Sequence, residues 1–208
     1  MRFVFFDLGN VIVKFSIEKL LHQAAAVVGR DADMLYDVIF DTHLQHRHER
    51  GEITEDEYYD TFCDRIGVRV RKDVLLSAIS DIFTFNTPML PVMAYFAERD
   101  IPRGILSNTA PAHWNHCRAT YPEIHRLIPS NHVLSYEVGA MKPDRRIYET
   151  AFQTSARIVP GITPSEILFI DDLEQNIAAA RDFGFDAVRY LDDARLAQSL
   201  RERGIMTG

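Results

Sequence analysis

Cysteine is scarce in this 208-residue chain, which contains Cys63 and Cys117 and no others. Two cysteines form neither a disulfide framework nor the paired spacing of a zinc site, so we expect free thiols. Tryptophan occurs once, and no apolar run approaches the ~20 residues that a membrane-spanning helix needs. Asp7 interrupts the apolar N-terminal stretch, and no small-residue cleavage site follows it. We therefore expect no signal peptide, a cytoplasmic location and no membrane partner.

Positively charged residues are also fewer than negatively charged ones. The chain has 23 lysines and arginines against 30 aspartates and glutamates, which gives a net charge of −7. This balance argues against a general nucleic-acid-binding surface, although a local site for a phosphate-bearing substrate remains possible. Hydrophobic residues make up 47% of the chain, enough for one domain with a substantial insertion. The sequence contains no internal repeat or low-complexity segment, and it leaves open whether the protein is a monomer or a homodimer.

Short apolar runs alternate with helical patterns along most of the chain. Five runs are typical of strands buried on both faces of a parallel sheet: residues 2–6, 104–107, 132–135, 166–170 and 186–190. Helical patterns lie between or after them at 91–99, 145–152, 175–184 and 196–204, and the last two end in glycine. This alternation predicts an α/β fold, a Rossmann-like doubly wound parallel sheet.

The segment from about residue 15 to residue 85 interrupts the alternation. It shows no convincing strand but four helical patterns, at residues 17–28, 34–44, 55–66 and 73–83. Thr54 and Glu57 form a capping-box pattern before the third of these. We therefore predict a core formed by residues 1–14 and 86–208, with residues 15–85 inserted as a helical cap over the active face.

Polar residues follow four of the predicted strands. Asp7 ends the first, Ser107 and Asn108 end the second, Lys142 lies shortly after the third, and Asp171 and Asp172 end the fourth. Ligands of open α/β sheets bind at the carboxyl ends of the strands. Three carboxylates that meet in one pocket repel each other unless a cation joins them, and hard oxygen ligands suit Mg²⁺. With Lys142, Ser107 and Asn108 as phosphate donors, Asp7 could then attack phosphorus as a covalent nucleophile.

These residues also carry a family resemblance. The tracts FFDLGN, ILSNT, MKPDRRIY and ILFIDDLEQNIAAA, in that order, resemble the four motifs of the haloacid dehalogenase superfamily. HRHERGEIT, SNTAP, TYPEI and GAMKPDRRIY are closer to the bacterial α-D-glucose-1-phosphate phosphatase type, and the phosphatase domain of soluble epoxide hydrolase is also similar. The resemblance covers the whole chain and implies a Mg²⁺-dependent phosphatase acting on a small phosphorylated metabolite.

The resemblance also implies a role for each matching residue. Asp7 would form an aspartyl-phosphate and, with the Gly9 carbonyl, bind Mg²⁺. Asp172 would be a further metal ligand, assisted by Asp171 and oriented by Asn176. Further roles concern the phosphate: Ser107 and Asn108 would hold phosphoryl oxygens, and Lys142 would neutralise charge on the nucleophile and phosphate.

Gly9 departs from the superfamily pattern. Most phosphatases of this superfamily have a second aspartate there, which protonates the leaving oxygen and then activates water. Such general acid–base help is typically worth ~10²–10⁴-fold in rate. Three explanations stay open: a good leaving group such as the anomeric oxygen of a sugar 1-phosphate, a substitute such as His46 or His48 from the cap, or a slow or non-catalytic relative. His46 is also a candidate for substrate contact.

Other interpretations compete with the phosphatase. Asp7 could be a turn residue, and Asp171 and Asp172 could cap the following helix. A metal-free 2-haloacid dehalogenase of the same superfamily would tolerate Gly9, but it would not need the Asp171–Asp172 pair. A protein that binds a phosphorylated ligand without turnover would not need a nucleophile. The cluster of His43, His46 and His48 with Glu49 lacks the spacing of a zinc helix, and a partly solvated helix end is the better interpretation.

Overall fold

A five-stranded parallel sheet forms the centre of the protein. The computed structural model describes residues 1–206, except for the side chain of residue 41. Its strands are β1 (Phe3–Phe6), β4 (Arg103–Ser107), β5 (Val133–Leu134), β6 (Ile167–Asp171) and β7 (Asp186–Arg189). Their order in the sheet is β5-β4-β1-β6-β7, and every neighbouring pair is parallel. All five predicted strands and the predicted fold class are thereby confirmed.

Strand β1 lies in the middle of the sheet, and its side chains alternate between two hydrophobic clusters. Phe3 and Phe5 pack into one cluster, whereas Val4 and Phe6 pack into the other, and all four are fully buried. A strand that is covered on both faces needs an unbroken apolar run, as the sequence has here. The carboxyl end of β1 is consequently flanked by the ends of β4 and β6.

Helices cover both faces of the sheet. Two of them pack on the Phe5 side, α10 (Arg145–Ile158) and α11 (Glu174–Phe183). The Val4 side carries α6 (Leu90–Glu98), α7 (Pro111–Thr120), α8 (Pro122–Leu127) and α12 (Asp193–Glu202). Gly184 has a φ of 112° directly after α11, so the predicted glycine stop of this helix is confirmed.

A two-stranded antiparallel ribbon joins the sheet to the helical insertion. The ribbon consists of β2 (Val13–Phe15) and β3 (Phe83–Phe85), with Val13 opposite Phe85. The sequence did not predict these strands, because three residues are too few to show a clear alternation. The ribbon places the two predicted core–cap junctions side by side. The division into core and cap itself stays a prediction, and its residues 207 and 208 lie outside the described part of the chain.

The insertion between the ribbon strands is helical. It contains α1 (Ile17–Val28), α2 (Ala32–Tyr36), a π-helical turn (Asp37–Asp41), α3 (Leu44–Glu49), α4 (Glu55–Ile66) and α5 (Lys72–Ser80). The predicted capping box at Thr54 and Glu57 is present at the start of α4. The predicted single helix over residues 34–44 is wrong, because the π-helical turn and the left-handed backbone of His43, with a φ of 57°, separate α2 from α3.

The remaining helix, α9 (Ser135–Val138), follows β5 and touches the end of α3. Gly51 lies at this contact, where an added Cβ would come 2.3 Å from the Tyr136 carbonyl oxygen. The segment after α3 therefore approaches α9 too closely for any larger residue. Among residues 1–206, none of the helices has the length and apolar character that a membrane crossing requires.

Candidate active site

Asp7 lies at the carboxyl end of β1 and is 7% exposed. Its backbone N–H donates to the Ile170 carbonyl oxygen at 2.9 Å, which ties the residue to β6. Its side-chain Oδ1 accepts from the Leu8 N–H at 2.7 Å and lies 2.8 Å from Lys142 Nζ. The carboxylate is therefore held in one orientation next to a cation. The turn-capping bond that the sequence context suggested is present, and the same oxygen contacts a buried cation.

Lys142 joins two carboxylates. Its Nζ lies 2.8 Å from Asp7 Oδ1 and 2.6 Å from Asp171 Oδ2, and its side chain is 1% exposed. Burial favours a lower pKa for this ammonium, but the two carboxylates outweigh burial and raise the pKa of Lys142. The lysine is therefore charged across the physiological range. The solvated surface lysine that its sequence context alone would suggest is not what the structure shows.

Asn108 fixes the backbone of Lys142. The Asn108 Nδ2 donates to the Lys142 carbonyl oxygen at 2.9 Å, and the Lys142 N–H donates to Asn108 Oδ1 at 2.8 Å. The Asn108 side chain thus uses both polar atoms on Lys142 and keeps one amide hydrogen for another acceptor. The expected role of Asn108 in holding phosphoryl oxygens stays a prediction. Asn108 thus positions the lysine, a contact that no sequence pattern indicated.

Asp171 and Asp172 differ in their surroundings. Asp171 is fully buried, and its carboxylate accepts from Lys142 Nζ, from the Leu173 N–H at 2.8 Å and from Asn176 Nδ2 at 3.0 and 3.1 Å. Asp172 is partly buried and accepts from Asn10 Nδ2 at 3.2 Å. Asp171 is therefore saturated by protein donors, whereas Asp172 faces the cavity and has free lone pairs.

The carboxylates of Asp7, Asp171 and Asp172 form a compact acidic cluster. Each offers an oxygen, and these three oxygens all lie within 4.8 Å of one another. Burial raises the pKa of Asp7, the Lys142 ammonium opposes that rise, and Asp171 and Asp172 add to it, which leaves the pKa of Asp7 at about 7. Burial and Asp171 also raise the pKa of Asp172. Three carboxylates against one ammonium leave an excess of negative charge that a divalent cation would balance.

Asn176, on the first turn of α11, contacts this cluster through Asp171. Its carbonyl oxygen accepts from the Tyr148 hydroxyl at 2.9 Å, and its Nδ2 donates to Asp171. Its Oδ1 is buried and has no hydrogen-bond partner among the described residues. An unpaired buried acceptor beside a carboxylate cluster fits a site that takes up a cation with its water ligands. The predicted orienting role of Asn176 is directed at Asp171 rather than at Asp172.

Asp7 and Asp172 of the acidic cluster line a cavity of about 500 Å³ between the sheet and the helical insertion. Gly9, Ser107 and Lys142 line it from the sheet side. Ser107 is buried, and its hydroxyl lies 3.3 Å from the Asn108 carbonyl oxygen, so it can turn to another acceptor. The insertion contributes Phe40 and, from α3, Gln45, His46 and Glu49. From the sequence, Glu49 stood out only as a member of the histidine cluster whose spacing does not fit a zinc site, and it was given no catalytic role.

The histidines of α3 lie in different environments. His46 is exposed and lines the cavity, as a substrate contact requires. His48 is 3% exposed and stacks on Tyr58 with ring centroids 4.7 Å apart. Among residues 1–206, the cavity lining does not include His48, which places it away from the position predicted for an acid–base group.

Buried histidines make the stability of the protein sensitive to acid. Burial lowers the pKa of His113 from 6.5 to about 4, and burial also lowers the pKa of His48 to about 4. Between these values the unfolded chain binds protons at the two histidines that the native state does not, so the stability that they contribute is complete above about pH 6.5 and is lost as the pH falls toward 4. Asp7, whose pKa is raised to about 7, contributes with the opposite sign over the same window. We expect the histidine contribution to the unfolding free energy in urea to decline over this window. In His113→Gln the decline should be smaller by on the order of 1–3 kcal/mol.

The exposed His22 provides the control for this measurement. His22→Gln should leave the slope of unfolding free energy against pH unchanged. A His113→Gln slope equal to that of the wild type would show that His113 does not titrate between the two states.

Comparison with known proteins agrees with this geometry. Residues 1–184 match the family model of the haloacid dehalogenase-like hydrolases. A D-ribitol-5-phosphate phosphatase from Bacteroides thetaiotaomicron is 27% identical over 207 residues, covering 95% of each chain. The superfamily and the hydrolase class predicted from the motifs are thereby confirmed. The closer resemblance to the α-D-glucose-1-phosphate phosphatase type stays a prediction.

Solved structures show the same fold. A HAD family enzyme from Bacteroides thetaiotaomicron, crystallised with magnesium and inorganic phosphate, superposes with a TM-score of 0.78 at 22% identity, covering 94% of this chain and 98% of that one. L-2-haloacid dehalogenase from Xanthobacter autotrophicus gives a TM-score of 0.61 at 20% identity, covering 99% and 84%. Since the family model spans most of the chain, the protein belongs to the haloacid dehalogenase-like hydrolases.

Proposed function

We propose that the protein is a Mg²⁺-dependent phosphatase that hydrolyses a small phosphomonoester, such as a hexose 1-phosphate, through an aspartyl-phosphate at Asp7. The observation that carries the proposal is the ion-paired arrangement Asp7–Lys142–Asp171 beside Asp172 at the end of the cavity. A carboxylate held at a strand end can attack phosphorus only when neighbouring cations reduce its repulsion with the phosphate. Lys142 supplies one such cation in the structure.

In this proposal each protein group has a defined task. Asp7 Oδ attacks phosphorus in line with the leaving oxygen, and the phosphorus–oxygen bond to the alcohol breaks. Lys142 stabilises charge on the attacking carboxylate and on the phosphoryl oxygens, and the Ser107 hydroxyl donates to one of those oxygens. Asn108 holds the Lys142 backbone so that its ammonium stays between Asp7 and Asp171. Water then cleaves the aspartyl-phosphate and releases inorganic phosphate.

The metal-binding residues in the proposal are Asp7, the Gly9 carbonyl and Asp172, with Asp171 behind them. The free lone pairs of Asp172, against the saturated carboxylate of Asp171, support Asp172 as the direct ligand. When bound, Mg²⁺ supplies positive charge that offsets the carboxylates and the phosphoryl group. The role of His46 in contacting substrate rests on its place in the cavity lining.

The relatives support the substrate class. The Bacteroides phosphatase acts on D-ribitol 5-phosphate, a small phosphorylated polyol, and one structural neighbour holds magnesium and inorganic phosphate. The cavity of about 500 Å³ has the size of a small-molecule site, so we propose a phosphorylated metabolite rather than a phosphoprotein as substrate. A cytoplasmic location, without nucleic acid or membrane as partner, remains part of the proposal.

Two alternative functions fit the site less well than the phosphatase does. A metal-free 2-haloacid dehalogenase shares the fold and tolerates Gly9, but its anionic substrate would meet the excess negative charge of Asp7, Asp171 and Asp172. A binding protein without turnover would explain the phosphate donors but not an oriented, cation-paired carboxylate at residue 7. Both alternatives predict no Mg²⁺-dependent release of phosphate.

A screen of small phosphomonoesters with Mg²⁺ or with a chelator tests the proposed function. We expect phosphate release from sugar phosphates and p-nitrophenyl phosphate with Mg²⁺, and none after chelation. Mg²⁺ should also stabilise the fold, raising Tm by ~5–10 °C at a hundredfold excess over Kd. Hydrolysis of 2-chloropropionate in chelator, with no phosphate released from any ester, would instead support the dehalogenase.

The Asp172→Asn variant locates the metal. It should lose most of the Mg²⁺-induced rise in Tm, because a neutral amide replaces a charged ligand. Asp182→Asn, at an exposed position on α11, is the matched control and should keep the full rise. An unchanged rise in Asp172→Asn would place the cation elsewhere.

A further inference from the structure

Gly9 leaves the site without the side chain that would protonate the leaving oxygen. The space beside it is partly filled, since an added Cβ would lie 3.3 Å from the Phe15 ring. For a leaving oxygen that needs protonation, the acid therefore comes from another part of the cavity wall. Beyond the acidic cluster and Lys142, the described cavity lining offers three ionisable side chains, those of His46, Glu49 and His113.

The two histidines are poor proton donors in this setting. His113 is buried, its pKa is lowered to about 4 by burial, and its Nε2 lies 3.2 Å from the Ile79 carbonyl oxygen. At neutral pH it has no acidic proton beyond that bonded N–H. His46 is exposed, and its nearest aromatic neighbour is the His43 ring at 5.8 Å, so little holds it in one position.

Glu49 has the opposite character. It is partly buried, and burial raises the pKa of its carboxyl group, against the opposing effect of a 2.9 Å hydrogen bond from Gln45 Nε2 to Oε1. Gln45 is itself buried in the cavity wall one helical turn before Glu49. The carboxyl group is thus oriented by one donor and retains a proton more readily than an exposed glutamate does.

The backbone of Glu49 is also fixed to the sheet side of the cavity, next to Asn108. Its carbonyl oxygen accepts from the Ser135 hydroxyl at 2.5 Å, and Ser135 Oγ accepts in turn from the Thr109 N–H at 3.0 Å. Thr109 directly follows Asn108 at the end of β4. The tight approach of Gly51 to the Tyr136 carbonyl oxygen lies two residues beyond Glu49. These contacts tie the end of α3 to the loop that holds Lys142.

We propose that Glu49 is the general acid and base that replaces the missing group at Gly9, an inference that rests on the proposed phosphatase function. As Asp7 attacks phosphorus and the bond to the leaving oxygen breaks, the Glu49 carboxyl proton moves to that oxygen and the alcohol departs. The resulting carboxylate then takes a proton from the water that attacks the aspartyl-phosphate. The bond to Asp7 breaks, phosphate leaves and Glu49 is protonated again.

Several neighbouring titratable groups influence the titration of the Glu49 carboxyl group. Burial and, to a smaller extent, the charge of Glu49 raise the pKa of the Tyr58 phenol on α4, so Tyr58 stays neutral. His46 on the same helix and His113 on α7 share the cavity, as do Asp7, Asp172 and Lys142. We expect the rate of leaving-group release, plotted against pH, to show a falling limb at higher pH, where Glu49 loses its proton. This high-pH limb should be absent from the Glu49→Gln variant.

The test is single-turnover release of the leaving group, in the presence of Mg²⁺, from a hexose phosphate and from p-nitrophenyl phosphate. Glu49→Gln keeps an oxygen to accept from Gln45 but has no acidic proton. We expect it to slow the alkyl ester by ~10²–10⁴-fold and p-nitrophenyl phosphate by less than ~10-fold, because nitrophenolate leaves without protonation. Glu52→Gln, an exposed residue paired with Arg50, is the matched control and should match the wild type on both substrates.

Equal slowing of both esters in Glu49→Gln, or unchanged rates on both, would overturn the role of Glu49. An unchanged high-pH limb would do so as well. Thermal unfolding verifies that the variant is folded. The proposed function fails in a different way: wild-type release of the leaving group would then be absent or would persist in Asp7→Asn.

Discussion

Asp7→Asn should abolish phosphate-ester hydrolysis, with a loss of at least ~10³-fold, because an amide cannot form the acyl phosphate bond. The variant should fold normally. Its Oδ1 can still accept from the Leu8 N–H and from Lys142, which hold Asp7 in the wild type. Burial and the neighbouring carboxylates raise the pKa of Asp7, so replacing it by a neutral amide relieves repulsion in the metal-free protein. We expect its unfolding free energy to equal or exceed that of the wild type.

Acid quenching during turnover supplies the second measurement. The wild type should carry a phosphoryl group on the peptide that contains residue 7, detectable by mass spectrometry, and Asp7→Asn should carry none. Asp33→Asn, at an exposed position of α2, is the control and should retain both activity and adduct. Full hydrolysis by Asp7→Asn would rule out the covalent route.

Lys142→Met should have the second largest effect, on stability as well as on activity. The buried ammonium lies within 2.8 Å of Asp7 Oδ1 and 2.6 Å of Asp171 Oδ2, and its removal leaves two buried carboxylates without a cation. Breaking a buried ion pair in this way typically destabilises a protein by ~3–5 kcal/mol. We expect a loss of this size in urea unfolding at pH 7 without Mg²⁺. Added Mg²⁺ should recover part of it, because the cation then offsets the same carboxylates.

The control for this variant is an exposed lysine that also forms an ion pair. Lys19 lies 3.3 Å from Asp81, and its side chain is 42% exposed. Lys19→Met should change the unfolding free energy by less than ~1 kcal/mol, as is usual for surface pairs. If Lys142→Met were no more destabilising than Lys19→Met, the buried bridge would not hold the site together.

The sheet and the strand-end residues were accessible from the sequence because their signals are local. An apolar run long enough for a doubly covered strand, followed at once by Asp7 or by Asp171, marks both the strand and its end. Parallel strands present their carboxyl ends at one edge, so the acidic cluster follows from strand order alone. The ribbon of β2 and β3 could not be predicted in this way, because each strand has three residues.

The side-chain contacts within the site had no local signal. Asn108 bonds the backbone of Lys142, although 34 positions separate them in the chain. His48 and Glu49 are adjacent in sequence, yet one packs beneath Tyr58 and the other lines the cavity. Helical geometry directs neighbouring residues to different faces, and only the packing of α3 decides which face meets the sheet.

The sequence alone therefore determined the parallel sheet and the residues that stand at its strand ends, because these depend on short apolar runs and on the residues that stop them. The superfamily followed from the resemblance of four motifs, in order, to those of a known family. The tertiary structure decided that Lys142 is buried between two carboxylates, that Asp171 is saturated while Asp172 is free, and that Glu49 reaches the cavity. The first two outcomes depend on the order of the strands in the sheet, which brings together groups far apart in the chain. The third depends on how the helical insertion packs against the sheet.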